Sequence, residues 1–535
     1  MGKDSVLVLS AKALVAFFAL AFFLYPLALV FLKVAGPGSV ERAVSVVSLR
    51  HGVIFSSLLQ AFVSTVFALA LGIPAAYIIA RRSFPGKRLV RAVSLLPFVF
   101  PSILVVLSFI IVLGNNGWVN NFLRSVFGFT EPVRFIYGFW GVVLAHVFYN
   151  FPLVMRFVGD SWSRLDAGIV EAARGLGARG FDVFLRITLP QLLPSIAAAA
   201  SLVFIYCFMS FTIVLSLGGP QLSTLEVEIY RLVSRNLDIG AAAVLAAVQF
   251  AMLSVLAFVY WFFSHRFRVE QGSAVLAPVP FNFRRASGWL EACFLCAILL
   301  FVIVPLFSLV IFAFSGTGGE IVSLDAFAKI FLSGRSLSGA TAFDAVLYSL
   351  AAASFASVLA TLIGLLASLR GTKIPFVGYF LGSSIAVSAI TLALGYFIGF
   401  GSGSLLVIAV GHAVFAFPFA YRLIGNALAK VGDSEVDAAA SMGAGPLETF
   451  RRVQFPAVRG ALLASLAFSF AVSLGELGLV LMLYDGIYPT MPVYVYRLLS
   501  VFDVGAAAAM GIILVGVSFF CFYAIEHFSA DAGVF

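Results

Sequence analysis

The chain has 535 residues, 62% of them hydrophobic and only 11% charged, and it carries a net charge of +9. Ordinary soluble domains are about 25% charged, and a single core stops growing at roughly 250–300 residues. A soluble fold of this composition could not hide its apolar surface, so the chain reads as a polytopic membrane protein.

Apolar runs of about 20 residues, the length that crosses a bilayer as a helix, fall at 13–35, 52–80, 92–113, 136–158, 191–217 and 239–264. A second set falls at 288–314, 344–369, 375–399, 402–424, 459–484 and 505–527. The expectation is an all-α membrane protein with twelve transmembrane helices. The strict alternation of β-barrel strands, about 10 residues each, is absent. Pro74, Pro101 and Pro152 interrupt runs, which membrane helices tolerate when neighbours satisfy the freed carbonyls. Lys3 and Lys12 precede the first run as in a signal peptide, but the run exceeds the usual 7–15 residues and no small-residue cleavage site follows. It reads as a retained helix. Cys293 and Cys296 form a C-x-x-C inside an apolar run without further ligands, which fits small apolar filler better than redox or zinc chemistry.

Lys and Arg concentrate in alternate connecting segments. Arg81, Arg82, Lys87, Arg88 and Arg91 fall in one, and Arg156, Arg164, Arg174, Arg179 and Arg186 in the next on the same side. By the positive-inside rule both termini are expected in the cytoplasm. The net positive charge follows from this topology; it implies lipid as the surrounding partner and no nucleic acid.

The chain repeats itself. AHVFYNFPLVMRF from Ala145 matches GHAVFAFPFAYRL from Gly411, and EAARGLGARGFDVFLRITLP from Glu171 matches DAAASMGAGPLETFRRVQFP from Asp437, at a constant offset of 266 residues. EIYRLVSRNLDIGAAA from Glu228 resembles YVYRLLSVFDVGAAAA from Tyr494 with a one-residue slip. The division expected is a first unit at 1–264 with a loop at 159–190, a cytoplasmic linker at 265–287, and a second unit at 288–535 with a loop at 425–456. Six spans per unit return the chain to the same side, so the repeats are parallel, with a pathway between them.

Within the first loop, GLGARG at Gly175–Gly180 fits the dinucleotide pattern G-x-G-x-x-G. That fingerprint needs a preceding strand and a βαβ unit, whereas here a helix-forming EAAR precedes it. The second copy, Ser441-Met-Gly-Ala-Gly-Pro, breaks the pattern. No Walker A sequence occurs either. The pattern instead predicts two short helices across a glycine turn. Ile169, Ala172, Ala173 and Leu176 share one face, and Phe181, Phe184 and Ile187 or Thr188 share a second. Gly177 and Gly180 can end the first helix, since glycine accepts a left-handed turn, and Pro190 can start the next span. Such short apolar faces suit a partner's groove or a headgroup surface.

The spacing Glu171-Ala-Ala, three residues, Gly177, nine residues, Ile187-x-Leu189-Pro190 resembles the EAA loop of the permease subunits of binding-protein-dependent ABC importers. Asp437-Ala-Ala with Gly443, Val453, Phe455 and Pro456 keeps the same spacing. The resemblance implies the type I importer permease fold, with two permease units fused in one chain. It implies that Glu171, Ala172, Ala173 and Gly177 dock on one protomer of an ATPase dimer, and Asp437, Ala438, Ala439 and Gly443 on the other. It further implies an extracytoplasmic substrate-binding protein as partner, no cofactor on this chain, ATP and Mg held by the partner ATPase, and no enzymatic activity here. Ser210–Gln249 and Ser473–Ser500 resemble the thiamine branch of that family more than its ferric-iron branch. An ion-coupled secondary transporter is the competing class; it calls for intramembrane acids forming a relay, and Glu476 is the one candidate.

Four polar residues are candidates for the substrate path: Glu476 and its repeat mate Ser210, and Tyr149 and Asn150. Glu476 reads as a carboxylate facing the path, as one near the outer interface, or as one hydrogen-bonded to a neighbouring helix. His146 and His412 read as buried, hydrogen-bonded packing histidines, without the companions a metal or proton relay needs; no metal site is expected. The charged stretch Glu226, Glu228, Arg231, Arg235 and Asp238 reads either as a contact for the binding protein or as a solvated loop face.

Overall fold

The computed structural model describes residues 3–36, 38–266, 277–315, 322–332, 340–369 and 387–530. Among them, eleven helices are long and apolar enough to cross a membrane. In the first repeat these are Val8–Val34, His51–Arg81, Ser102–Phe127, Phe139–Ser163, Gly180–Phe208 and Ile239–Phe263. The second repeat supplies Ala286–Ala313, Ala342–Ser368, Leu405–Leu428, Leu447–Gly475 and Val504–Cys521. Where the ninth run was expected, at 375–399, stands a shorter apolar helix, Ala389–Phe400; the start of that run lies outside the described residues, as do 267–276 of the linker. The fold is that of an all-α membrane protein. Among the described residues a two-residue parallel pairing joins Arg82–Ser83 to Val279–Pro280.

Three of the expected runs are broken. The third divides at Pro101, with helices Lys87–Val99 and Ser102–Leu113 on either side. The residue before a proline is pushed out of the helical region, and Phe100 is extended, at ψ 137°. The fifth run ends its helix at Phe208 and resumes as Thr212–Leu217. The eleventh ends at Gly475 and resumes as Gly478–Leu483. The last two breaks contain the repeat mates Ser210 and Glu476.

The described residues form two compact units that do not follow the sequence repeats. One consists of Met1–Val47, Ile229–Phe250 and Phe312–Phe535; the other of Ser48–Glu228 and Ala251–Ile311. Each holds the first span of one repeat against the body of the other repeat. In the first, Phe18 meets Phe417 at a ring separation of 6.0 Å, and the Tyr396 hydroxyl donates to the Phe22 carbonyl at 2.6 Å. In the second, Phe301 packs on Phe109, Phe148 and Phe151, with ring separations of 6.4, 5.5 and 6.2 Å.

Inside each unit the second and fourth spans of a repeat lie in near contact, and glycine sets their distance. A Cβ on Gly72 would stand 2.6 Å from Val154 Cβ, and one on Gly364 would stand 3.0 Å from Ala420 Cβ. Val154 and Ala420 are repeat mates, so one helix crossing is built twice. The short amphipathic helices Leu225–Ser234 and Met491–Ser500 are likewise tied down as a matched pair. The Leu225 amide donates to Ser57 Oγ at 2.8 Å and the Met491 amide to Ser349 Oγ at 2.7 Å, which supplies acceptors for donors that a helix start leaves free.

Candidate functional site

Both EAA segments fold as the sequence pattern predicts, and alike. Helix Ala167–Gly175 begins at Asp166, whose carboxylate accepts the Gly168 amide at 2.7 Å. Helix Asp433–Ser441 begins at Gly432, whose amide donates to Glu435 Oε2 at 2.8 Å. Each ends in the same reversal. The Gly177 amide donates to the Arg174 carbonyl and the Ala178 amide to the Ala173 carbonyl; in the second copy Gly443 donates to Ala440 and Ala444 to Ala439. This paired closure requires a left-handed residue at its corner. Gly177 and Gly443 both stand at φ +87°, with nothing within 4 Å of where a side chain would start. They are therefore glycine for backbone reasons and not for lack of space. One-turn helices follow, Gly180–Val183 and Pro446–Thr449, then π-helical turns at Phe184–Thr188 and Phe450–Gln454 that lead into the fifth span of each repeat. The matched π turns carry no warning in the hydropathy pattern.

The loops are anchored on one side and bare on the other. Val170 and Val183 are buried, Phe184 stacks on Trp162 at 6.2 Å, and Ala439 is buried in the second copy. Glu171, Ala172 and Gly177 are exposed and Ala173 is half-buried; Asp437, Ala438 and Gly443 are exposed. Next to them stand large apolar side chains in open solvent, Leu176 at 90% exposure and its mate Met442 at 83%, then Phe181 at 72% and its mate Leu447 at 64%. Single exposed apolar residues are ordinary on any surface. Two matched pairs on matched turns form a surface built to be covered.

The substrate-path candidates fall in different places. Glu476 lies at the break of the eleventh run, where its Oε1 accepts the Leu479 amide at 3.1 Å. It thus caps the short helix that resumes there, a local version of the hydrogen-bonded reading. Ser210, half-buried, occupies the matching break. The Tyr149 hydroxyl donates to the carbonyl of Phe100, at the Pro101 break. Asn150 is buried and donates to the His146 carbonyl at 2.9 Å and to Cys207 Sγ at 3.4 Å. Tyr149, Asn150 and Ser210 belong to one compact unit and Glu476 to the other.

The two histidines are buried packing groups, each with a hydroxyl partner, but the partners differ. His146 Nδ1 pairs with Ser64 Oγ of the second span at 3.1 Å; His412 Nδ1 pairs with Ser473 Oγ of the eleventh at 2.6 Å. The repeat mate of Ser473 is Cys207. The Ser57–Ser349 correspondence makes Ala356 the mate of Ser64. Each repeat therefore keeps one hydroxyl for its histidine and draws it from a different helix.

The charged stretch at 226–238 divides. Glu226 and Glu228 are buried, and Glu228 pairs with Arg50 at 3.0 Å, while Arg235 and Asp238 are exposed. Near the linker, Arg82 forms a two-pronged pair with Glu291 at 2.5 and 2.6 Å. That hydrogen bonding holds its guanidinium pKa above the ordinary value.

Residues 68–269 match the family model described as the binding-protein-dependent transport system inner membrane component. Over that stretch the chain is similar to permease components of binding-protein-dependent transport systems, and the eleven long apolar helices among the described residues mark a multi-pass membrane protein. Among curated proteins it is similar to the thiamine transport system permease protein ThiP of Salmonella typhimurium, 27% identical over 494 residues that span 87% of each chain. ThiP of Brucella abortus is 27% identical over 90% of this chain and 88% of its own. The ferric transport system permease protein FbpB of Actinobacillus pleuropneumoniae is 25% identical over 91% of this chain and 71% of its own.

Proposed function

We propose that this chain carries thiamine, or its phosphates, across the inner membrane, with both termini in the cytoplasm. An extracytoplasmic binding protein delivers the substrate. An ATPase dimer, which holds the ATP and Mg, docks on the two loops, with Glu171, Ala172, Ala173 and Gly177 against one protomer and Asp437, Ala438, Ala439 and Gly443 against the other. ATP binding draws the protomers together, the loops follow, and the repeats pass from inward to outward access; hydrolysis resets them.

One observation carries the reading: the same glycine-cornered turn is built twice, each beside a bare apolar pair. A secondary transporter has no use for that duplication. The thiamine assignment rests on ThiP relatives that align over most of both chains. Ferric iron is the second reading, because FbpB is also similar over most of this chain. Docking is tested by reconstituting the permease with its ATPase. Gly177→Asp combined with Gly443→Asp should abolish the complex while leaving the permease folded; an intact complex would remove the loops from the interface.

A further inference from the structure

Among the described residues two non-glycine positions have positive φ, Leu237 at 55° and Phe502 at 60°. In the one-residue-slipped alignment they are repeat mates, each followed by an aspartate. Both terminate an outer amphipathic helix. The Asp238 amide donates back to the Leu232 carbonyl and the Asp503 amide to the Leu498 carbonyl, both at 2.9 Å, and Leu232 and Leu498 are themselves mates. The first repeat has one more residue in this turn than the second, yet the left-handed corner and its closing bond survive the insertion. Both aspartates then start the next span, accepting the Ala241 amide at 2.9 Å and the Ala506 amide at 3.3 Å.

A left-handed corner calls for glycine or asparagine; a branched or aromatic residue there is strained. This chain uses glycine at the matching corners of Gly177 and Gly443. At the outer corners it places leucine and phenylalanine, and neither is used for packing: Leu237 is 78% exposed and Phe502 is 89% exposed. Strain without burial, kept at both mates, points to a contact outside the chain.

The face is fixed by the chain path. In each repeat one crossing helix, Leu189–Phe208 or Phe455–Gly475, separates the EAA loop from this turn, and about 20 residues at 1.5 Å each cross a bilayer. The turns therefore lie on the side away from the EAA loops, and both belong to one compact unit. We propose that Leu237 and Phe502 are paired apolar anchors for the extracytoplasmic binding protein. Binding proteins close two lobes about a hinge, and two matched anchors can engage one lobe each. This rests on the importer reading, in which that face receives the binding protein.

The test uses the full permease–ATPase complex in lipid nanodiscs with its substrate-loaded binding protein. Leu237→Gly, Phe502→Gly and the double variant each relieve the strained corner, so the melting temperature should hold or rise. Affinity for the binding protein should fall at least tenfold in the double variant, the scale of a lost interface anchor. ATPase activity without binding protein should be unchanged, and its stimulation by the binding protein should weaken in step with affinity. Leu237→Met, which keeps the apolar reach, should bind as the wild type does. Glycine variants that bind and are stimulated like the wild type overturn the proposal, including the case where only their lipid-dependent stability changes. A wild-type complex that is never stimulated overturns the importer reading as well, which separates the two failures.

Discussion

Replacing Gly177 with alanine isolates the backbone requirement of the first EAA turn. At φ +87° with nothing within 4 Å of the new methyl group, alanine meets no clash. The perturbation is conformational alone, about 1–2 kcal/mol for an L-residue held left-handed. An undocked loop escapes that cost by opening its turn, since nothing packs there. A docked loop cannot escape it, so the penalty falls on docking. It should weaken ATPase binding roughly 5- to 30-fold while the melting temperature of the permease barely moves. Gly443→Ala should behave alike, and the pair should be close to additive because the two loops meet different protomers. Gly175→Ala is the control: it has equally open space and no positive φ, and the second copy already carries Ser441 there. The assay is titration of purified ATPase against the permease in nanodiscs. Equal affinity for Gly177→Ala and Gly175→Ala would refute the reasoning, because the turn would then have no part in recognition.

Three further outcomes follow from the same geometry. Ser64→Ala strands buried His146 and should destabilise the permease by about 1–3 kcal/mol; adding Cys207→Ser, which copies the Ser473–His412 arrangement, should recover most of that in thermal melts. Arg82→Ala breaks a pair whose side chains are only 15% and 16% exposed, and should cost about 2 kcal/mol, between the values for exposed and buried pairs; a melt indistinguishable from wild type contradicts this. Glu476→Gln retains an oxygen for the Leu479 amide and should melt and transport normally, whereas Glu476→Ala should lose about 1 kcal/mol of cap; transport abolished in the Gln variant at an unchanged melting temperature would place the charge in the path instead.

Hydropathy made the spans legible because bilayer thickness sets their length, and the offset between repeats made the EAA loops legible because backbone turns leave glycine behind. Gly177 and Gly443 were identifiable as corners from the second copy alone, which keeps that glycine and drops Gly175 and Gly180. The exchange of first spans was not legible: an apolar helix such as Val8–Val34 has no sequence mark of which neighbour it will meet. The Ser210 break carries neither glycine nor proline to mark it, whereas the Glu476 break falls between Gly475 and Gly478, a mark that the length of the apolar run overrode. Glu226 and Glu228 read as exposed, on a binding-protein contact or a solvated loop face, because their burial depends on tertiary packing, which brings Arg50 to Glu228. The apolar exposure of Leu176 and Met442, the strongest structural pointer to a partner, needed coordinates, since a helical apolar face looks the same whether the chain or another molecule covers it.

The central claim is ATP-driven import through this chain. Its direct measurement is uptake of radiolabelled thiamine into proteoliposomes holding the permease and its ATPase, with binding protein outside and ATP within. The account predicts accumulation that requires both ATP and the binding protein and disappears in the Gly177→Asp, Gly443→Asp variant. Uptake that proceeds without ATP under an imposed proton gradient would contradict it.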